Sequence, residues 1–332
     1  MHKIFVPHNI TDPGVEQLQE AFGVENVRVY REEGAISREL LLEGVVGVSA
    51  LLPIQTERVD GELLDAAGPQ LKVVANHGVG YDNIDVEAAT ARNVVVTNTP
   101  GVVSGATADL TWSLILSAAR RTCEADRYVR EGKWNGISVR LLNGTDVHGK
   151  TLGIFGLGSI GQAVARRSKG FDMPLIYHSR NRLDAALERD LGARYVDKAT
   201  LLAESDILSL HCPLTPETTR AFGEAEFCAM KSSAVFINTT RGPVVDEAAL
   251  AHALLNGEIA CAGLDVFEAE PKIHPDLLRC ENAVFMPHLG SASHETRGKM
   301  GQMAAVNIIA CLNGQVQPNC LNKEVLGAVL GG

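Results

Sequence analysis

Three side chains in this chain suit anion and proton chemistry by their type and setting. Arg241 stands in a Thr-Arg-Gly turn directly after the apolar run 234–238. A planar guanidinium placed there can hold a carboxylate bidentately and lean on an adjacent carbonyl oxygen. His288 follows Pro287 at the end of another apolar run, and Glu270 lies in a loop after the run that ends at Leu264. A carboxylate hydrogen-bonded to an imidazole stabilises the imidazolium, which can then donate a proton near neutral pH. Each residue also has a plainer reading, Arg241 as a surface ion pair and His288 as a structural histidine. Position after a strand favours a site, and for His288 so does the company of Glu270.

A fourth feature suits phosphate. Residues 150–177 read KTLGIFGLGSIGQAVARRSKGFDMPLIY. The apolar Leu152, Ile154 and Phe155 suggest a buried parallel strand. Gly156, Gly158 and Gly161 follow in the spacing G-x-G-x-x-G, then a helical stretch, then a second apolar run at 175–177. In that order Gly156 permits the tight turn, Gly158 lets backbone approach a pyrophosphate, and Gly161 lets helix and strand pack closely. The helix N-terminus then offers N–H groups and partial positive charge to the phosphates. Alone, the glycine pattern is weak; strands on both sides make it a dinucleotide fingerprint.

These features need a sizeable scaffold, and the chain supplies it. Its 332 residues with 45% hydrophobic content suggest about two domains. No apolar run is long enough to span a bilayer, and the start MHKIFVPHN lacks a signal-peptide build. Seven cysteines without a C-x-x-C pair point to reduced thiols in the cytoplasm, and no spacing suggests a metal site. A net charge of −10 gives nucleic-acid binding no support, so an anionic small substrate needs a local positive site.

Strands are expected at 3–6, 45–52, 71–75 and 94–97, with helices at 14–22 and 82–92. The loop 77–81 follows a strand and precedes a helix, where parallel sheets bind ligands. Residues 104–130 read as one long helix, and 131–149 as a glycine-rich loop region. Further strands are expected at 207–211, 234–238, 261–264 and 283–286, with a helix at 247–255. A second long helix is expected over 290–312, returning to the first domain. The architecture is therefore α/β: a doubly wound, Rossmann-like nucleotide domain at 104–290, inserted into a flavodoxin-like substrate domain of residues 1–103 and 291–332.

Over nearly its whole length the chain resembles the D-isomer-specific 2-hydroxyacid dehydrogenase family. Four stretches carry the resemblance: NHGVGYDNID at 76–85, GLGSIG at 156–161, NTTRGPVVDEAAL at 238–250, and GLDVFEAEP at 263–271 leading to PHLGSASHETR at 287–297. GTDVHGKTLGIFG at 144–156 and the SASHETR segment are most similar to bacterial glyoxylate/hydroxypyruvate reductases and 2-ketogluconate reductases. The resemblance implies hydride transfer between a nicotinamide cofactor and a small anionic 2-keto or 2-hydroxy acid. It assigns His288 as acid/base, Glu270 as its partner and Arg241 as substrate binder. It also gives the backbone N–H groups of Val79 and Gly80 the substrate carboxylate, which suits an anion because such donors need no counter-charge. Cofactor contacts are implied at Thr107, at Gly156, Leu157, Gly158, Ser159, Ile160 and Gly161, and at Cys212, Pro213 and Thr218. Thr239, Thr240, Arg241, Asp265, His288 and Gly290 complete that set. Finally, it implies a homodimer through the 104–130 helix and the arm near 120–150, with Trp112, Leu114 and Ile115 as apolar surface and Trp134 locking the arm. The bland alternative is that these four fill the monomer's own core.

Cofactor choice falls to the residues after the second strand of the nucleotide unit. An NAD enzyme usually carries Asp or Glu there for the ribose 2′-OH. This chain has His178-Ser179-Arg180-Asn181-Arg182. Two arginines with a serine hydroxyl can clamp a 2′-phosphate, which favours NADP(H) while leaving NAD(H) usable; the plainer reading is a solvated basic loop. Relatives of the family also act as dinucleotide-sensing co-repressors, and formate and phosphite dehydrogenases share the scaffold. The intact Arg241, Glu270 and His288 favour turnover over sensing.

Overall fold

The computed structural model describes residues 2–327. It divides into two compact units, one holding the chain up to Val103 and again from Ser291, the other Ser104–Gly290. In chain order the first unit begins with β1 (Ile4–Val6), α1 (Asp12–Phe22), β2 (Val27–Val29), α2 (Arg38–Val45) and β3 (Ala50–Leu51). It continues through α3 (Gly61–Ala67), β4 (Val73–Ala75), α4 (Val86–Ala91) and β5 (Val95–Thr97). The second unit contains α5 (Ser104–Arg120), α6 (Thr122–Arg130), β6 (Leu152–Phe155), α7 (Ser159–Ser168), β7 (Leu175–His178), α8 (Ala185–Leu191) and β8 (Ala193–Tyr195). There follow α9 (Lys198–Glu204), β9 (Ile207–Leu210), α10 (Glu224–Cys228), β10 (Val235–Asn238), α11 (Glu247–Leu255), β11 (Cys261–Leu264) and β12 (Ala283–Phe285). The chain then rejoins the first unit with α12 (His294–Leu312).

Both sheets are parallel throughout. The first unit has the order β2-β1-β3-β4-β5 of a flavodoxin-like sheet. In the second the order is β12-β11-β10-β9-β6-β7-β8, the doubly wound Rossmann order with its switch point between β6 and β9. Helices cover both faces, so the strands bury all round and read as unbroken apolar runs; β9, β10 and β11 are buried at every position. No helix among the described residues is long and apolar enough to cross a membrane.

Four expectations of secondary structure are corrected. The run 45–52 is not one strand. Its start closes α2, whose Ser37 hydroxyl accepts from the Leu40 N–H at 3.3 Å, and Gly47 turns the chain at φ +74°, leaving only Ala50–Leu51 to pair. Expected at 82–92, the helix begins at Val86, where Asp85 accepts from the Ala88 N–H at 2.8 Å. Residues 104–130 form two helices rather than one, because Arg121 takes a left-handed conformation at φ 54°. The Thr145 N–H returns to cap the Ala119 carbonyl at 2.8 Å, so α5 ends there. Lastly, α12 starts at His294 behind its Ser293 cap, and 290–292 stay outside it.

Trp112, Leu114 and Ile115 face the core of their own unit. Trp112 stacks on Phe171 with ring centroids 4.6 Å apart, and its Nε1 donates to the Val164 carbonyl at 3.1 Å. They are not available as outer apolar surface, whereas Trp134 is exposed.

Candidate active site

Parallel pairing brings the strand ends of the second unit to one edge, with Asn238, Leu264 and Phe285 in register. Arg241, Asp265 and His288 follow those three strands directly. Asn238 shapes the first turn: its Nδ2 donates to the Arg241 carbonyl at 3.0 Å, and its Oδ1 accepts from the Thr240 N–H at 3.0 Å. The Arg241 side chain is half-buried and its Nη1 donates to the Thr240 carbonyl at 2.8 Å.

Glu270 and His288 meet. Glu270 Oε2 lies 2.8 Å from His288 Nδ1, while Glu270 Oε1 accepts from the Phe267 N–H at 3.0 Å. Burial on its own would raise the Glu270 carboxyl. The hydrogen bond and charge of His288, with the Phe267 N–H and the charge of Arg241, instead hold it below the usual carboxylate range. An ionised carboxylate only accepts, so the Nδ1 proton belongs to the histidine and Nε2 is the atom left to exchange one. His288 sits at φ 54°, an uncommon conformation for a residue with a side chain.

Asp265 holds that conformation in place. Its carboxylate oxygens accept from Leu289 N at 2.7 Å and Gly290 N at 2.8 Å, and its carbonyl accepts from His288 N at 2.9 Å. Burial pushes the Asp265 carboxyl up to about 6, against these N–H donors and the nearby His288, which favour the ion. The Thr107 hydroxyl ties in from α5 by donating to the Gly290 carbonyl at 3.0 Å.

Two residues that the sequence did not single out build this geometry. A Cβ on Gly242 would lie 1.8 Å from the Phe267 carbonyl carbon, so the Arg241 turn packs backbone to backbone against the segment leading to Glu270. Buried Glu247 accepts from the Glu268 N–H and, at 3.0 Å, from the His274 N–H, which pins the same segment from α11. Gly242 was visible as the neighbour of Arg241; nothing local marks Glu247.

The glycine turn fits a dinucleotide. A Cβ at Gly156 would lie 2.6 Å from Cys212 N, and one at Gly161 2.5 Å from the Gly156 carbonyl oxygen. Those two are demanded by the protein's own packing. At Gly158 a Cβ would meet nothing within 4 Å, so its bareness leaves open backbone instead. Ser159 and Ile160 form the first turn of α7, whose N–H groups have no partner within the helix. Leu157 buries its side chain and donates its N–H to Ser179 Oγ at 2.7 Å, which leaves the serine proton to be given elsewhere.

Other expected cofactor contacts are partly spent within the protein. Thr218 Oγ1 donates to the Pro213 carbonyl at 2.7 Å, Thr240 Oγ1 donates to the Cys212 carbonyl, and Thr239 Oγ1 lies 3.0 Å from Thr111 Oγ1. Burial pushes the Cys212 thiol up to about 11. These residues therefore offer a ligand backbone and methyl groups more than polar hydrogens. The expected two-arginine clamp is also altered. Arg182 turns away onto Glu188, at 2.8 Å through both Nε and Nη2, because that covered carboxylate needs a partner. Arg180 stays exposed.

In the first unit, three successive carbonyls of the loop after β4 are held. Gly78 accepts from Thr99 N at 3.0 Å, Val79 from Asn98 Nδ2 at 2.8 Å, and Gly80 from Asn76 Nδ2 at 2.7 Å. In a trans peptide N–H and C=O point opposite ways. The N–H groups of Val79, Gly80 and Tyr81 are thus turned away from these anchors.

A doubly wound sheet with this glycine turn, and a carboxylate–imidazole pair at the same strand edge, is the build of a dinucleotide-dependent oxidoreductase. Residues 112–290 match the model of the D-isomer specific 2-hydroxyacid dehydrogenase NAD binding domain. The chain belongs to the D-isomer specific 2-hydroxyacid dehydrogenase family and is an NAD(P)-dependent oxidoreductase. It is 48% identical over 328 residues to a glyoxylate reductase of Thermococcus litoralis, covering 98% of each chain. Among solved structures it resembles a glyoxylate reductase from Paecilomyes thermophila at 34% identity and TM-score 0.85, covering 97% of this chain and 99% of that one. It likewise resembles an NADPH-dependent glyoxylate/hydroxypyruvate reductase from Sinorhizobium meliloti in complex with NADP and malonate. That match is at 34% identity and TM-score 0.82, covering 96% of each.

Proposed function

We propose that the protein reduces small 2-keto acids to D-2-hydroxy acids, with glyoxylate, hydroxypyruvate and 2-ketogluconate as candidate substrates and NADPH as the preferred reductant. The observation that carries this reading is the 2.8 Å Glu270–His288 pair at the strand edge that also bears Arg241. The names of the relatives support glyoxylate first. Arg241 binds the keto acid and polarises its carbonyl; the turned N–H groups of Val79 and Gly80 are donors suited to a carboxylate. On this reading the first unit is the substrate domain and the second the cofactor domain. A reduced nicotinamide held there would supply the hydride for the carbonyl carbon. His288 gives the proton on Nε2 to the carbonyl oxygen, and Glu270 stabilises the imidazolium until then.

The residues that would hold the cofactor are the 156–161 turn at the pyrophosphate and Thr107, Asp265 and the 288–290 segment at the nicotinamide end. Cys212, Pro213, Thr218, Thr239 and Thr240 line its path. Ser179 and Arg180 would take a 2′-phosphate. A well-formed charge-assisted hydrogen bond contributes about 1.5–3 kcal/mol, so NADPH is preferred by at least about tenfold. Purified protein assayed against the three keto acids with NADPH and NADH tests the reading; no turnover of any, or turnover that survives His288→Ala, sinks it.

The protein forms a homodimer. Support comes from the stretch 129–139, where Val129, Trp134, Ile137 and Val139 expose apolar surface, with Ile137 96% exposed. Sedimentation should give a dimer at micromolar concentration, and a monomer there removes this part of the reading.

A further inference from the structure

Behind the loop that follows β7 lies a covered carboxylate with no part in proton or hydride transfer. Glu188, on α8, has its side chain only 11% exposed. Its Oε1 accepts from the Tyr177 hydroxyl at 2.7 Å and from Arg182 Nε at 2.8 Å, and its Oε2 from Arg182 Nη2 at 2.8 Å. Tyr177, itself buried, accepts in turn from the Leu183 N–H at 2.9 Å. The Arg182 guanidinium lies 5.6 Å from the centre of the Tyr195 ring. That ring stacks on His178 at 5.9 Å, and its hydroxyl reaches the Ser179 carbonyl at 3.4 Å. The bonds from Arg182 and Tyr177 pull the Glu188 carboxyl down to about 2, so the group is an anion throughout the working range.

The loop is thus tied at both ends. Ser179 is fixed to the glycine turn through the Leu157 N–H, and residues 182–183 are fixed to Glu188 and Tyr177. Arg180 and Asn181 stand out between the ties, both exposed. Arg182 faces a carboxylate bidentately, so its charge is already matched.

We propose that Glu188, acting through Arg182 and Tyr177, is a positioning residue for the adenosine end of the dinucleotide, setting the loop so that Ser179 and Arg180, not Arg182, meet the ribose. This rests on the cofactor reading given above. It makes Arg182 a strut whose loss harms every adenine nucleotide alike. It leaves Arg180 as the guanidinium that distinguishes a 2′-phosphate.

The test is calorimetric binding of 5′-AMP and 2′,5′-ADP to the full-length protein and to Arg180→Gln, Arg182→Gln and Glu188→Gln. Arg182→Gln and Glu188→Gln should each weaken both ligands by a similar factor, on the order of tenfold. Arg180→Gln should weaken 2′,5′-ADP alone. Selective loss of 2′,5′-ADP in Arg182→Gln overturns the proposal, since Arg182 would then touch the phosphate. Unchanged affinity for both ligands in Arg182→Gln and Glu188→Gln also overturns it, since the cluster would then be structural only. If Arg182→Gln does not fold, the near-isosteric Glu188→Gln carries the same comparison. A parent protein that binds the two ligands equally would refute the NADP(H) preference, while shared weakening in the strut variants would still establish positioning by Glu188.

Discussion

Gly242→Ala should disable proton transfer while altering no side chain that meets a ligand. The new Cβ would lie 1.8 Å from the Phe267 carbonyl carbon, 1.9 Å from its oxygen and 2.4 Å from the Glu268 nitrogen. Non-bonded carbons settle at about 3.5–4.0 Å, so the two backbones must part by about 2 Å. Neither side is a flexible tip that can swing aside. The displaced segment leads into Glu270, whose Oε1 is bonded to the Phe267 N–H at 3.0 Å. A shift of that size carries Glu270 Oε2 from 2.8 Å to beyond the roughly 3.5 Å at which a hydrogen bond to His288 survives. Overpacking of this kind costs about 1–3 kcal/mol of stability. General acid catalysis is worth about 10²–10⁴ in rate. The expected result is a lower Tm, an unchanged Kd for NADPH, and a kcat for keto acid reduction at least about a hundredfold down. Steady-state kinetics near neutral pH, with His288→Ala as the floor, gives the comparison. A folded Gly242→Ala protein with kcat within about threefold of the parent would refute the reasoning.

Three other outcomes are expected. Glu270→Gln removes the anion that stabilises the imidazolium, so the fall in reduction rate at high pH should move to lower pH; a superimposable pH–kcat profile counts against the pair. Arg241→Lys keeps charge but loses the planar fork, so KM should rise and kcat fall together, and a change in KM alone would confine Arg241 to ground-state binding. Ser179→Asp combined with Arg180→Gln should turn the kcat/KM ratio toward NADH at fixed keto acid; an unaltered ratio would place the 2′-position elsewhere.

Where structure depends on neighbours in sequence, it was readable in advance. The strand, glycine turn and helix of 152–168 follow from local spacing, but apolar spacing alone starts the 82–92 helix too early, ahead of its Asp85 cap. The run at 45–52 misled because a helix end, a glycine turn and a two-residue strand share one apolar composition. Arg121 gave no warning, since a left-handed arginine has no sequence mark. In the site, Arg241, Glu270 and His288 carry chemistry in their side chains and could be picked out. Gly242 and Glu247 act on a segment reached only through the fold. Arg182 looked like a ligand group because Glu188, six residues on, faces it only once the loop has turned.

The loop after β4 divides its labour between main chain and side chains. Its carbonyls are gripped by Asn76, Asn98 and the Thr99 N–H, so the direction of its N–H groups is decided by residues at or beyond its ends. Under the proposed reading, the carboxylate that every 2-keto acid shares is held by atoms that every amino acid shares. Side chains at Val79 and Tyr81 can then change without loosening that grip, and a family can try new substrate tails at little risk to anchoring. The fragile positions lie elsewhere: substitutions at Val79 and Tyr81 would look tolerated, while Asn76→Ala or Asn98→Ala would release the peptide planes that the tolerance depends on.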